Sequence, residues 1–244
     1  MTDITFVTAC DPKYVSHLQT TLPNWIKYKK IDKYPFIVYV NGFEDPENDE
    51  RLKFLNLLPS LKIIKWEMPE AQTQREKMLS SFVFGTARDV KTPYWMKIDA
   101  DSYATNYKEL IDEDMFNYVI TGHKWAYTKP FHWIQDLDNW ASGLSEFSNT
   151  EDLFDPSRVD GRRYGHERVA SYIQLHDSSF VRFAAELAGS RLPVPSHDTY
   201  LWYVAKRLGL EIRRHNFKRY KGLSNKSKLE SLKQKVKEVD CGNN

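Results

Sequence analysis

Four apolar runs punctuate the first hundred residues: Ile4 to Ala9, Phe36 to Val40, Leu61 to Trp66 and Tyr94 to Ile98. Between them lie stretches with helix start and stop signals. This alternation limits the fold more than any other feature, because strand–helix–strand repeats build parallel sheets, and the strands of such sheets read as near-continuous apolar runs. Asp11-Pro12 offers a capping side chain followed by a proline suited to the first helical turn, so a helix is expected through His17, Leu18 and Trp25, fraying in the Lys27–Lys30 cluster. Asp45-Pro46 repeats the device and predicts a helix towards Leu57, stopped by Pro59. A longer helix is predicted over roughly Gln72 to Asp89. In such sheets ligands bind beyond the carboxyl ends of the strands, where Thr8-Ala9-Cys10, Asn41-Gly42 and Asp99-Ala100-Asp101 all fall.

The last of these is the most specific chemical signal. The run Tyr94-Trp95-Met96-Lys97-Ile98 ends in two carboxylates separated by one small residue. Side chains alternate along an extended chain, so Asp99 and Asp101 point the same way and Ala100 leaves room between them. Hard oxygen ligands in that arrangement suit Mg²⁺ or Mn²⁺ shared with the oxygens of a diphosphate. Read without their flanks, the same residues are a solvated turn after a strand. The chain has no G-x-G-x-x-G and no G-x-x-x-x-G-K-[ST], which argues against a dinucleotide dehydrogenase or a P-loop NTPase.

Beyond Asp101 the pattern is less regular. Phe116 to Gly122 predicts a strand, followed by an aromatic stretch holding Trp125, Tyr127, Phe131, His132, Trp133 and Trp140. Residues 142 to 167 read as loop-rich, Val169 to Leu175 as a strand, and Ser178 to Ala188 as a helix ended by Gly189. Ser196 is placed to cap a helix whose apolar positions Leu201, Val204, Ala205 and Leu208 keep i, i+3, i+4, i+7 spacing. Ser227 to Val239 predicts a short amphipathic helix with Leu229, Leu232 and Val236 on one side.

Length and charge complete the outline. A chain of 244 residues suits one large α/β domain or one domain with an appendage. Cys10 and Cys241 are the only cysteines, so no disulfide framework or zinc cluster is indicated. MTDITFVTAC has no basic segment leading into an apolar core, and no run is long enough to span a bilayer. A cytoplasmic protein is therefore expected. Residues 213 to 237 hold ten Lys or Arg against one acid, Glu230, which leaves 25 basic and 32 acidic residues elsewhere. A slightly acidic body thus carries a basic end that attracts polyanions. The expected organisation is a main domain over 1–212, in halves of 1–105 and 106–212, and a basic extension over 213–244.

The F-V-T strand, the Arg75-bearing helix and the K-I-D-A-D strand end resemble nucleotide-sugar glycosyltransferases of the GT-A fold over about residues 3 to 210. The resemblance implies an α/β, Rossmann-like, mixed but mainly parallel sheet flanked by helices. It implies that Thr8, Ala9 and Cys10 border the nucleobase, with Asn41 where many members carry an acid. It further implies that Asp99 faces the ribose or metal, that Asp101 binds Mn²⁺ or Mg²⁺ beside Ala100, and that Arg75 lies near the sugar or diphosphate of a donor such as a UDP-sugar. Asp198, at a helix start, takes the place of the inverting members' base, although a first-turn acid also serves the helix dipole. His215 is a candidate third metal ligand.

The stretches R-R-Y-G-H-E-R, P-V-P-S-H-D-T-Y-L-W-Y-V-A and R-H-N-F-K-R-Y-K-G-L-S are similar to glycosyltransferases of phages and kinetoplastids that modify hydroxymethylated DNA bases. That likeness implies double-stranded DNA as acceptor, contacted through Arg162, Arg163, Arg214, Lys218 and Arg219. Trp125, Trp133, Trp140 and Tyr164 are then available to stack a base, and His197 lines the acceptor site. Sugars stack on the same aromatics, so a glycan, lipid or small-molecule acceptor stays open, as do a nucleotidyltransferase and a non-catalytic polyanion-binding module. Oligomeric state is not legible in the sequence.

Overall fold

The structure is a computed structural model, and it describes residues 4–66, 82–107, 109–161, 163–189, 192–215, 220–222 and 229–242. In chain order its elements are β1 (Ile4–Cys10), α1 (Val15–Lys29), β2 (Phe36–Val40), β3 (Leu61–Lys65), α2 (Phe82–Asp89), β4 (Tyr94–Ile98) and β5 (Ser102–Ala104). There follow β6 (Ile120–Pro130), α3 (Phe131–Ala141), β7 (Val159–Asp160), β8 (Arg163–Asp177), α4 (Ser178–Ala188), α5 (His197–Arg207), β9 (Ile212–His215), β10 (Tyr220–Gly222) and α6 (Leu229–Gly242). The class is α/β with a mixed, mainly parallel sheet and flanking helices. The chain divides into two compact units, one of residues 1–67, 91–113 and 217–244 and the other of 68–90 and 114–216.

In the first unit the strands run in the order β3-β2-β1-β4, every pair parallel. β1 and β2 are apolar on both faces, and Ile4, Phe6, Val38 and Val40 are fully buried. The carboxyl ends of all four strands therefore open on one side of the sheet. Asp11 opens a turn rather than the helix itself: its Oδ1 accepts from the backbone N–H of Lys13 and of Tyr14, at 2.9 and 3.0 Å, and α1 begins at Val15, three residues later than the Asp11-Pro12 signal predicts. The helix continues through Pro23 to Lys29 and stops at Lys30, which adopts a left-handed conformation with φ 54°. The helix expected after Asp45-Pro46 is replaced by a turn and a 3₁₀ segment, Glu50–Leu57. Asn48 takes both carboxyl oxygens of Asp45, which closes the chain there, and Asp49 restarts it by accepting from Arg51 N–H. Residues 217–244 belong to this unit rather than standing apart. β10 pairs antiparallel with β5, and Leu232 and Val236 of α6 bury themselves against Tyr103.

The second unit is built on a long antiparallel pair, β6 with β8, to which β9 adds parallel to β6. Both long strands exceed their expected lengths. β6 runs on through the aromatic stretch, and β8 starts inside the segment expected to be a loop. A bulge between Gly122 and His123 shifts the register and obscures the alternation. Gly161, at φ 59°, sits where the chain reverses between β7 and β8, a conformation that glycine adopts without strain. Helix α4 occupies Ser178–Ala188 as expected, and Asp177 caps it by accepting from Phe180 N–H. The predicted strand at Phe116 is instead a 3₁₀ turn, Glu113–Asn117, before β6. Among the described residues no helix is long and apolar enough to cross a membrane.

Candidate active site

Cys10, Asn41 and the Asp99–Asp101 turn come together because β1, β2 and β4 are adjacent and parallel. Asn41 N–H donates to the Cys10 carbonyl at 3.1 Å, which draws the two strand ends together. Gly42, at φ 74°, closes the turn, and a side chain there would touch the Pro12 ring at 3.4 Å. Thr8 and Cys10 are buried while Ala9 is half-exposed, so of the three it is Ala9 that offers side-chain surface. The Thr8 hydroxyl is buried without a hydrogen-bond partner. Burial, followed by the charge of Asp11, pushes the Cys10 thiol up to about 12, so it stays protonated and is no nucleophile. Arg51, exposed, lies over the Phe43 ring at 4.9 Å and pairs with Asp49 at 2.6 Å.

The two acids of the D-x-D turn are not equivalent. Lys97, Asp99 and Asp101 share one parity along the chain, and the buried Lys97 ammonium pairs directly with Asp99 Oδ1. Asp101 is held by its neighbours differently. Burial and then the charge of Asp99 push its carboxyl above the usual carboxylate range, opposed by its own backbone N–H and by the charges of His17 and Lys97. A divalent cation relieves both of those destabilising effects at once, so this donor set fits Mn²⁺ or Mg²⁺. Among the described residues no ready-made group of three or more His, Cys, Asp or Glu surrounds a metal position. Hard cations of this kind complete their shells with phosphate oxygens and water.

Two residues that sequence reasoning missed stand beside the acids. The Tyr14 and His17 rings lie 5.1 Å apart at the start of α1. The Tyr14 phenol is raised by burial and by Asp101, Asp11 and Asp99 in that order, which puts it in the field of the acid pair. His17 reaches Asp101 electrostatically, and its Nδ1 is buried without a hydrogen-bond partner. No local motif could have shown this, since more than eighty residues separate them from Asp101.

The remaining candidates lie in the second unit or outside the described residues. Asp198 sits in the first turn of α5, whose cap is the expected one: Ser196 Oγ accepts from Thr199 N–H at 3.4 Å. His197 Nε2 lies 2.8 Å from Asp198 Oδ1, an ion-pair distance without hydrogen-bond alignment. His215 ends β9 opposite His123, and Arg214 is exposed opposite Gly122. Arg163 is exposed at the start of β8. Trp133, on α3, is half-buried with the Lys129 ammonium 4.8 Å from its ring centre. Trp140 packs inward, against Phe147 at 5.7 Å and Tyr200 at 5.4 Å, rather than offering a stacking face. Trp125 and Tyr164 belong to β6 and β8, but their side chains lie outside the described residues, as do Arg75, Arg162, Lys218 and Arg219 altogether.

Neither a family model nor a curated protein sequence matches the chain. Solved structures do match. Core-mannan synthase A (CmsA/Ktr4) from Aspergillus fumigatus, in a Mn/GDP form, is similar with a TM-score of 0.59 at 13% identity, over 91% of this chain and 75% of that one. The mannosyltransferase Ktr4p from S. cerevisiae is similar at 0.55 and 11% identity, over 86% of this chain and 66% of that one. The mannosyltransferase PcManGT from Pyrobaculum calidifontis, in complex with GDP-Man and Mn²⁺, gives 0.50 at 12% identity, over 92% and 58%. The chain therefore spans less than two thirds of the length of the last two. These identities speak to architecture, and the architecture is the GT-A fold of glycosyltransferases.

Proposed function

We propose that the protein is a metal-dependent glycosyltransferase that moves a sugar from a nucleoside diphosphate to a hydroxyl acceptor. The observation that carries this reading is the acid pair at the carboxyl end of β4, with Asp101 raised by burial and by Asp99 on a GT-A fold. When bound, Mn²⁺ or Mg²⁺ supplies charge stabilisation to the departing diphosphate. Asp101 and Asp99 hold the cation, with phosphate oxygens and water completing its shell rather than the His215 expected from the sequence, and Arg75 contacts the sugar or diphosphate. Lys97 balances the charge of Asp99, so the site does not present two bare acids before the donor arrives. The nucleobase lies against Ala9, Cys10 and Asn41. A uridine donor is expected from the sequence, whereas the structural neighbours were solved with GDP or GDP-Man. Asp198 takes the proton of the attacking hydroxyl, with His197 beside it in the acceptor site, and a base in that role gives inversion.

The acceptor we propose is a 5-hydroxymethylated pyrimidine in double-stranded DNA. Supporting this are the basic run at 213–237 and the exposure of Arg163, Lys206 and Arg214, cations suited to phosphates. The test is mass analysis of nucleosides from hydroxymethylated duplex DNA incubated with the protein, Mn²⁺ and panels of UDP- and GDP-sugars. A hexose or pentose mass gain that disappears with Asp101→Asn supports donor and acceptor together. Metal-dependent hydrolysis of one donor without DNA labelling removes the DNA acceptor and leaves a glycan, lipid or small molecule. Absence of both removes the enzyme.

A further inference from the structure

The first unit holds the segment after the acid pair in an unusual way. β5 has one edge paired with β10, and among the described residues its other edge meets no strand. Helix α1 supplies the missing partner from side chains. Thr21 Oγ1 donates to the Ala100 carbonyl at 2.8 Å, and Trp25 Nε1–H donates to the Ser102 carbonyl at 2.8 Å. Asn24 does both jobs at once: its Nδ2 donates to the Ala104 carbonyl at 3.0 Å and its Oδ1 accepts from Ala104 N–H at 2.8 Å. One turn further, Lys29 Nζ reaches Asn106 Oδ1 at 3.2 Å. The carbonyls at 100, 102 and 104 therefore all end on one polar stripe of a helix, at the i, i+3, i+4 spacing that puts Thr21, Asn24 and Trp25 on the same face.

Such a stripe is costly to bury. Thr21, Asn24 and Trp25 are 1%, 3% and 2% exposed, and polar groups so placed destabilise a helix–sheet contact unless every one is bonded. An apolar face would hold the helix in place equally well. What the polar face adds is orientation. The Ala100 carbonyl belongs to the peptide that joins Ala100 to Asp101, so the Thr21 hydroxyl fixes the plane from which Asp101 projects. On the other side of the turn, the Asp99 carbonyl accepts from Ser102 N–H at 2.9 Å and from Ser102 Oγ at 2.7 Å. Trp25 in turn holds the Ser102 carbonyl.

We infer that Thr21, Asn24 and Trp25 are positioning residues which, by bonding the backbone of residues 100–104, set the aim of Asp99 and Asp101 towards the cation. The inference rests on the metal-dependent reading given above. All three are buried and face the backbone of the turn. They act through the turn, as outer-shell hydrogen bonds act on metal ligands elsewhere.

The test measures Mn²⁺ affinity of the full chain by electron paramagnetic resonance of free Mn²⁺, with GDP and in parallel with UDP, and needs no acceptor and no turnover. Thr21→Val keeps the shape and removes the donor to Ala100, and is expected to weaken Mn²⁺ binding about tenfold. Thr21→Ser, which keeps the hydroxyl, is expected to restore wild-type affinity. Thr20→Val is the control, since the Thr20 hydroxyl bonds only the Ser16 carbonyl of its own helix. If Thr21→Val fails to fold, Trp25→Phe removes the donor to Ser102, along with part of a buried ring's volume, and is expected to lower affinity in the same sense. Wild-type affinity in the folded variant, or an equal loss with Thr20→Val, overturns the positioning role. Mn²⁺ binding by the wild type that is lost in Asp101→Asn yet kept in Thr21→Val overturns this inference alone. If the wild type binds no Mn²⁺ with either nucleotide, the functional reading falls and takes the inference with it.

Discussion

Two carboxylate centres, one in each unit, are built on opposite principles. In the second unit Asp138 is saturated. Its oxygens accept from Leu153 N–H at 3.1 Å, Phe154 N–H at 2.9 Å, the Tyr203 hydroxyl at 2.6 Å and the Arg207 guanidinium at 3.0 Å. Arg207 also binds Asp152 and Thr150, so one buried charge pair pins the segment from Thr150 to Phe154. In the first unit the acid pair has one partner cation, Lys97, between two carboxylates, and Asp101 is raised instead of satisfied. A carboxylate with every lone pair engaged does structural work and has nothing left for a ligand. One kept in partial burial beside a second negative charge is held at a cost in stability that bound cation relieves.

The contrast can be broken in four ways. The largest effect expected is on catalysis: Asp101→Asn should lower metal-dependent turnover about 10³-fold, read from the rate of nucleotide release, because the stabilisation of the departing diphosphate is lost. The same substitution should raise the denaturation midpoint at neutral pH. The sign follows from the direction of the shift: a carboxyl raised in the folded state is destabilising when ionised, and its contribution improves as pH falls through the folded value. Next in size, Asp138→Ala should cost about 3 kcal/mol of stability in urea titration, since it leaves the buried Arg207 without its main partner. Mn²⁺–nucleotide affinity of the folded fraction should be unchanged, and a loss there would mean the two centres are not separate in function.

The third measurement is the pH dependence of Mn²⁺ binding. With Asp101 raised, protons compete for the site at higher pH than for an ordinary carboxylate, so affinity should start to decline on acidification before the usual carboxylate range is reached. Affinity constant down to that range would show Asp101 already paired. The smallest effect belongs to Tyr28→Phe, which removes the hydroxyl that donates to Asp240 at 2.8 Å and lies 3.3 Å from the Val239 carbonyl. A cost of about 1 kcal/mol is expected, with faster proteolysis within α6 and little change in nucleotide affinity.

Local chemistry made part of this visible in advance. The Ser196 cap, the Ser178–Ala188 helix and the strand ending at Asp99 carry their signals within a few residues, and each stands where the sequence puts it. Only the second half of β8 was legible, as the strand expected at Val169 to Leu175, because a bulge breaks the alternation of the pair it forms and polar residues fill its first half. Nothing local marks Asp138 as a buried anchor, for its partners lie up to 69 positions away. The grip of Thr21 on Ala100 spans 79 positions, so it too has no sequence signature. The D-x-D pattern pointed to a metal site but could not show that Lys97 pairs with Asp99.

The return of residues 217–244 to the first unit has a consequence for synthesis. β5 follows Asp101 directly, and its strand partner and its apolar cover, β10 and α6, lie more than a hundred residues downstream. On a ribosome the nascent chain must release the whole second unit before the turn bearing the acids gains those neighbours. A polypeptide interrupted anywhere short of Tyr220 has its D-x-D motif in full and yet lacks both supports, so the motif becomes a working part only late in translation.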